Sequence, residues 1–211
     1  MSENWKLVLT KKEIKMYVEK CANVINTKFK GKNIVIVCIL KGAVYFYVDL
    51  TRKITLPHSC YYIEASSYHD SQRQTKLSIM GSIEPSKFHE KYVILVDELY
   101  DNGHTMSQIR TAINEKADVP HDMIYTCTLF KKVKSGSNTN NDSSNSLDLY
   151  GVEVPDVWLV GYGLDDKQEK RNWVNLFACP KMDGIPKTVD DMIFENEDFY
   201  KKWRQNFVLS T

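Results

Sequence analysis

This chain of 211 residues has no purely apolar run longer than residues 34–40. A bilayer-spanning helix needs about 20 consecutive apolar residues, so no membrane segment is expected. The opening residues, Met1-Ser2-Glu3-Asn4-Trp5-Lys6, lack the apolar stretch of a secretory signal, which predicts a cytoplasmic protein. No Cys-x-x-Cys pair occurs. The five cysteines, Cys21, Cys38, Cys60, Cys127 and Cys179, are odd in number and widely spaced, and read as reduced thiols, several of them in the core. No excess charge of one sign is present either: the formal net charge is +1, which offers no footing for nucleic acid or a membrane surface. The histidines, His58, His69, His89, His104 and His121, never show a metal-binding H-x-x-x-H spacing. A Gly-x-x-x-x-Gly-Lys-[Ser/Thr] phosphate loop is also missing, and its absence excludes a P-loop nucleotidase.

What is present is an alternation of apolar runs and amphipathic stretches, without an internal repeat. Ile14, Val18, Cys21, Ala22 and Ile25 recur at helical spacing, so residues 11–30 are predicted to form a helix packed on a sheet, ended by Gly31-Lys32-Asn33. Residues 34–40 read as a buried strand, Lys41-Gly42 as a turn, 43–54 as a helix, 60–65 as a strand and 76–83 as an extended piece returning toward the sheet. Residues 109–117 continue a helix; 123–130 and 157–160 are predicted strands, and 189–207 a terminal helix. The run at 135–146 is rich in Ser and Asn and reads as a flexible loop, since it cannot bury enough apolar surface to order itself. The fold class expected is α/β: a mainly parallel twisted sheet flanked by helices. A length of 211 residues suits one domain, 1–211, with a core at about 31–165 and a small lobe from the two terminal segments.

One segment carries the chemistry. Val93-Ile94-Leu95-Val96 is followed by Asp97-Glu98-Leu99-Tyr100-Asp101-Asn102-Gly103-His104-Thr105-Met106. Four apolar residues in a row read as a parallel strand buried on both faces, so the two acids emerge at its carboxyl end, where open α/β sheets bind ligands. Gly103 lets backbone approach an anion, and a helix starting near Met106 supplies free N–H groups that, with the Thr105 hydroxyl, suit a phosphate monoester. The acids cannot bind phosphate. Vicinal ribose hydroxyls suit them, directly or through Mg²⁺, so one strand-loop-helix offers both halves of a ribose 5-phosphate. A strand ending in acids also occurs in Walker B sites, phosphoaspartate receivers and dehalogenase-type phosphatases. Asp97-Glu98-Leu99 is not the Asp-x-Asp of such phosphatases.

This arrangement resembles the phosphoribosyl-pyrophosphate signature of the type I phosphoribosyltransferases, in the pattern of their hypoxanthine-guanine branch. Family members usually read Glu-Asp and then Asp-Thr-Gly, whereas here the acids are exchanged and Asn102 stands for the hydroxyl residue. The other matches follow in the family's order. Leu40-Lys41-Gly42 resembles the pyrophosphate loop, whose Leu-Lys peptide can be cis, and Ser67-Tyr68 the mobile flap that closes over substrate. Lys131 aligns with the lysine that donates to the purine 6-oxo group, with Lys132 and Lys134 close by. Pro155-Asp156-Val157-Trp158, running on to Gly161-Tyr162-Gly163-Leu164-Asp165, resembles the base-stacking and metal-proximal segment, and Arg171 stands at the interval of the pyrophosphate arginine.

The resemblance implies an enzyme of purine salvage that transfers the 5-phosphoribosyl group from phosphoribosyl pyrophosphate to hypoxanthine or guanine. Alternatives are a xanthine- or other-base transferase, or a regulatory protein of the same fold without catalysis. It assigns Asp101 to the purine N7 proton. Asp97, Glu98, Asp101, Asn102, Gly103, His104 and Thr105 would hold the phosphoribosyl group; Lys41, Gly42 and Arg171 the pyrophosphate. Leu99, Lys131, Val157, Trp158 and Asp165 would meet the base, and Asp97, Glu98 and Asp165 would hold Mg²⁺. A homodimer or homotetramer is implied.

Overall fold

The computed structural model describes residues 5–68, 76–80, 82–133 and 147–178. Its elements, in chain order, are β1 (Lys6–Leu9), α1 (Lys11–Lys28), β2 (Ile34–Leu40), α2 (Val44–Thr51), β3 (His58–Tyr68), β4 (Lys76–Met80), β5 (Tyr92–Tyr100), α3 (His104–Ala117), β6 (Ile124–Val133), β7 (Leu149–Pro155), β8 (Leu159–Val160) and β9 (Leu176–Ala178). The main sheet has the order β4-β3-β2-β5-β6-β7. All its pairs are parallel except β3 with β4, so the expected α/β sheet is the one observed. A second, three-stranded sheet, β1-β9-β8, joins the beginning of the described chain to its end.

α1 forms where its sequence dictates. Thr10 accepts from the Glu13 amide at 3.3 Å while the Glu13 carboxylate accepts from the Thr10 amide at 2.7 Å, a reciprocal cap worth about 1 kcal/mol. All five apolar positions at helical spacing are buried against the sheet. β2 and β5 divide the core. Ile34, Ile36 and Cys38 with Ile94 and Val96 enter the layer under α1 and α2; Val35, Val37 and Ile39 with Val93 and Leu95 enter the layer under α3. Because strand side chains alternate faces, only an unbroken apolar sequence fills both layers.

Several boundaries differ from the sequence reading. β5 runs on through Asp97 and Glu98 to Tyr100, and α3 begins at His104, since pairing with β6 through Tyr100↔Lys131 carries the polar end of the strand. The strand expected at 157–160 is only β8, Leu159–Val160, while β1, β7 and β9 had no strand predicted. β7 is pinned to β6 by Asp148, whose carboxylate accepts from the Thr126 amide and hydroxyl at 2.8 and 2.7 Å. The 135–146 run, the 189–207 helix, Lys134, Cys179, His69 and the rest of the polar stretch to residue 75 lie outside the described residues.

Ile94→Ala removes a fully buried side chain from the layer under α1 and α2, and is expected to lower unfolding stability by about 2–5 kcal/mol. Urea denaturation followed by circular dichroism measures it; a loss under 1 kcal/mol would mean that the layer collapses around the gap.

Candidate functional site

β2, β5 and β6 lie side by side and parallel, so the residues following each strand gather at one edge of the sheet. From β2 comes Leu40-Lys41-Gly42, with the Leu40–Lys41 peptide cis. Lys41 is exposed, its ammonium 3.8 Å from Glu64. Gly42 is buried and has no room for a side chain: a Cβ there would collide with the Glu98 carboxylate. A Cβ on Gly163, which adopts φ +104°, would collide with the Gly42 carbonyl oxygen. Thus the turn after β2, the acid on β5 and the 161–171 segment are in mutual contact through two glycines.

Asp97 and Glu98 stay in contact at the end of the strand, their side chains hydrogen-bonded to one another. Glu98 lies against Gly42. Asp97 accepts from the Glu98 amide at 2.9 Å, and its carboxyl is held well above the usual range by burial first and by the neighbouring Glu98 second. Burial and the two acids also push the Cys38 thiol up to about 12, so that cysteine is not a nucleophile. Opposite Asp97 in the ladder stands Thr128, whose buried hydroxyl has no hydrogen-bond partner. A buried unpaired hydroxyl costs free energy that a polar guest would recover.

Beyond β5 the chain turns through Asp101, Asn102 and Gly103. The Asn102 side chain accepts from the His104 amide at 3.0 Å, so the amide that replaces a hydroxyl residue closes the turn. Gly103 sits in the left-handed region at φ +75° and begins α3 without a side-chain cap. The Ser107 amide bonds back to the Gly103 carbonyl. The amides of Thr105 and Met106, in the first turn, remain for an anion.

On the other flank, β6 sends its two terminal lysines to different places. Lys131 is 3.1 Å from Glu153 and lies 4.6 Å over the Tyr150 ring. Lys132, on the opposite face, is 3.2 Å from Asp101 and 3.4 Å from Asp156. The structure therefore does not bring Lys131 to the predicted site; it brings Lys132. Two adjacent lysines on one strand must point apart, and sequence spacing cannot tell which faces the crevice. Near them Leu99 and Val157 pack on the core, whereas Trp158 keeps 46% of its surface exposed.

Arg171 folds back on its own loop, donating to the Gly163 carbonyl at 2.7 Å and pairing with Asp165 at 2.7 Å. The Gln168 amide donates to the same Asp165 carboxylate at 2.8 Å. Of the predicted flap, Ser67 and Tyr68 extend β3, paired with Leu77 and Lys76 of β4. Among the described residues no group of three His, Cys, Asp or Glu forms a metal centre. A cavity of about 490 Å³ lies between α1, α2 and residues 172–174 and is lined by none of the sequence-predicted residues. The candidate site is the open edge above β2, β5 and β6 instead.

Residues 4–167 match the model of the phosphoribosyl transferase domain family. The chain is 26% identical over 175 residues to a hypoxanthine phosphoribosyltransferase of Salmonella typhimurium, covering 82% of this chain and 93% of that one. It is 31% identical over 169 residues to a hypoxanthine-guanine phosphoribosyltransferase of Aquifex aeolicus, covering 79% and 90%. A crystal structure of a hypoxanthine phosphoribosyltransferase from Staphylococcus aureus superposes with a TM-score of 0.68 at 24% identity, over 82% of this chain and 90% of that one.

Asp97→Asn is expected to raise the melting temperature of the ligand-free protein at pH 7–8, because the native state carries a carboxylate that burial disfavours. For an acid whose folded pKa is raised, the penalty is absent below the unfolded value of about 3.9 and grows as pH rises above it. The gain should therefore vanish toward pH 4. Scanning calorimetry across that range checks it, and a variant less stable at pH 7 than at pH 4, relative to the parent, would contradict the burial of charge.

Proposed function

This chain belongs to the phosphoribosyl transferase domain family, and from that membership we propose that it is a purine-salvage enzyme moving the 5-phosphoribosyl group of phosphoribosyl pyrophosphate to N9 of hypoxanthine or guanine. The products are the nucleoside 5′-monophosphate and pyrophosphate. The relatives' names support the reaction class and the 6-oxopurine. The observation that carries it to these residues is the meeting of the Lys41-Gly42 turn, the acids of β5, the start of α3 and the 161–171 loop at one edge of the sheet.

The roles follow from the groups available. The amides of Thr105 and Met106, with the Thr105 hydroxyl and the turn 101–104, hold the 5-phosphate. Asp97 and Glu98 take the ribose hydroxyls. Lys41, the Gly42 backbone and Arg171 face the pyrophosphate, where a guanidinium fork matches phosphate oxygens in pairs. Trp158 offers an exposed indole for stacking, beside Leu99 and Val157.

At the base, Lys132 replaces Lys131 in our reading. A 6-oxo group accepts from the Lys132 ammonium, while the exocyclic amine of adenine is itself a donor and cannot accept from it. Asp101, 3.2 Å from Lys132, receives the proton at purine N7 as N9 bonds to ribose C1 and the bond from C1 to the pyrophosphate oxygen breaks. Cations fixed around the departing oxygens stabilise the charge that develops on them.

Mg²⁺ fits the adjoining pair Asp97 and Glu98, since it is ordinarily held by one or two carboxylates with the remaining places filled by phosphate oxygens and water; Asp165, paired with Arg171, does not join them in a three-carboxylate centre among the described residues. When bound it would neutralise the pyrophosphate. The three-stranded sheet is read as the hood lobe, Ser67-Tyr68 as the root of the flap, and the enzyme as a cytoplasmic homo-oligomer.

Release of pyrophosphate with hypoxanthine, guanine, xanthine and adenine as acceptors tests the function; no turnover with either of the first two would overturn it. Lys132→Ala is expected to erase most discrimination between hypoxanthine and adenine, whereas Lys131→Ala leaves it nearly unchanged; the reverse result would return the role to Lys131. Asp101→Asn should fold normally and lose about 10²–10⁴-fold in turnover where chemistry limits the rate. Unchanged turnover in a single-turnover measurement would remove Asp101 from proton transfer.

A further inference from the structure

Tyr162 and Asp49, which the sequence pattern does not single out, meet between the two loops read above as pyrophosphate-binding. The Tyr162 hydroxyl donates to the Asp49 carboxylate at 2.7 Å. Asp49 belongs to α2, whose first residue, Val44, stands two positions after Gly42. Tyr162 stands between Gly161 and Gly163, the glycine that presses on the Gly42 carbonyl. Tyr162 is 7% exposed, and its ring is flanked by Tyr45 and Phe130.

The backbone around Tyr162 is closed by an isolated bridge, with reciprocal bonds between Gly161 and Leu164 at 2.9 and 3.1 Å, rather than by a regular ladder. Tyr162 itself adopts φ +46°, between glycines at +98° and +104°, a conformation that ordinary side chains adopt only when their surroundings impose it. Its amide donates to the Trp173 carbonyl at 2.7 Å, and the Gly163 amide to the Arg171 carbonyl at 2.9 Å. Arg171 returns a bond to the Gly163 carbonyl. The position of the Arg171 guanidinium thus depends on Gly163, and Gly163 adjoins a residue anchored to α2. Burial and the adjoining Asp49 push the Tyr162 phenol up, so it remains a donor throughout the physiological range.

We propose that Asp49 and Tyr162 are a positioning pair: their hydrogen bond holds the Gly163–Arg171 loop in register with the Lys41-Gly42 turn, so that both halves of the pyrophosphate site are set before substrate arrives. A preset site spends less of its binding energy on ordering itself. The pair acts through the loop rather than on substrate, and although the Tyr162 ring packs on Phe130 of β6, its hydroxyl bond to Asp49 involves neither Asp101 nor Lys132 on the base side. Its loss should fall on one substrate only.

The proposal rests on the phosphoribosyltransferase reading, and its test separates the two. Tyr162→Phe keeps the ring and deletes the donor. It should raise KM for phosphoribosyl pyrophosphate by about tenfold, equivalent to about 1.4 kcal/mol, with KM for hypoxanthine within about twofold of the parent, a margin of about 0.4 kcal/mol. Asp49→Leu should reproduce this. Asp49→Asn, which retains an acceptor, should restore most of it, and the Tyr162→Phe, Asp49→Leu double variant should be no worse than either alone. Independently of turnover, calorimetric affinity for pyrophosphate with Mg²⁺ should fall in the same variants. Hydrogen exchange at the amides of 162 and 163 should quicken while that of 93–96 stays unchanged. A parent chain without transferase activity but with these affinity and exchange changes would sink the function and leave the pair standing. Parent-like KM and exchange in Tyr162→Phe, an equal rise in both KM values, or Asp49→Asn as impaired as Asp49→Leu would overturn the pair.

Discussion

β2 and β5 are buried on both faces, and nearly everything else in the molecule follows from that. Apolar side chains point into the layer under α1 and α2 and into the layer under α3, leaving no solvent-facing side where a polar group could sit along the strands. Polar chemistry is pushed to the strand ends. There the parallel arrangement places the turn after β2, the acids of β5 and the lysines of β6 beside one another, although they come from separate stretches of the chain. The candidate site at this edge is thus a by-product of how the core is filled.

Close approach is the second constraint. Gly42 separates the Glu98 carboxylate from Gly163 with no space for a methyl group, so the 161–171 loop, which shares no ladder with β2 or β5, is brought within contact distance of their ends. Around this point the protein accepts costs that it avoids elsewhere: Asp97 carries a carboxyl that burial disfavours, Thr128 a buried hydroxyl without a partner, and Tyr162 a backbone in the left-handed region. Such features concentrate at functional sites, since groups that satisfied each other completely would have nothing left for a ligand.

Much of the fold was legible in the residues. The helical spacing of Ile14, Val18, Cys21, Ala22 and Ile25 reports a buried stripe, and the unbroken run from Ile34 to Leu40 can only be a strand covered on both sides. The short strands were not legible. β1, β8 and β9 have four, two and three residues, too few for any periodicity to emerge. β7 carries Gly151 in its middle, and its pairing depends on Asp148 meeting Thr126, a contact between distant residues.

For the site, the local sequence determined which chemical groups are present: two acids at a strand end, an Asn-Gly turn opening a helix, a Lys-Gly turn, an arginine six residues beyond an aspartate. These are short-range patterns whose physical meaning travels with the chain. Tertiary structure alone decided which of two adjacent lysines reaches Asp101, because strand pleat sends Lys131 to Glu153 and Lys132 to the crevice. It also decided that Asp49 and Tyr162, 113 positions apart, share one hydrogen bond. Contacts of that kind depend on register, layer and loop geometry, and those are set by packing of the whole domain rather than by any neighbour in sequence.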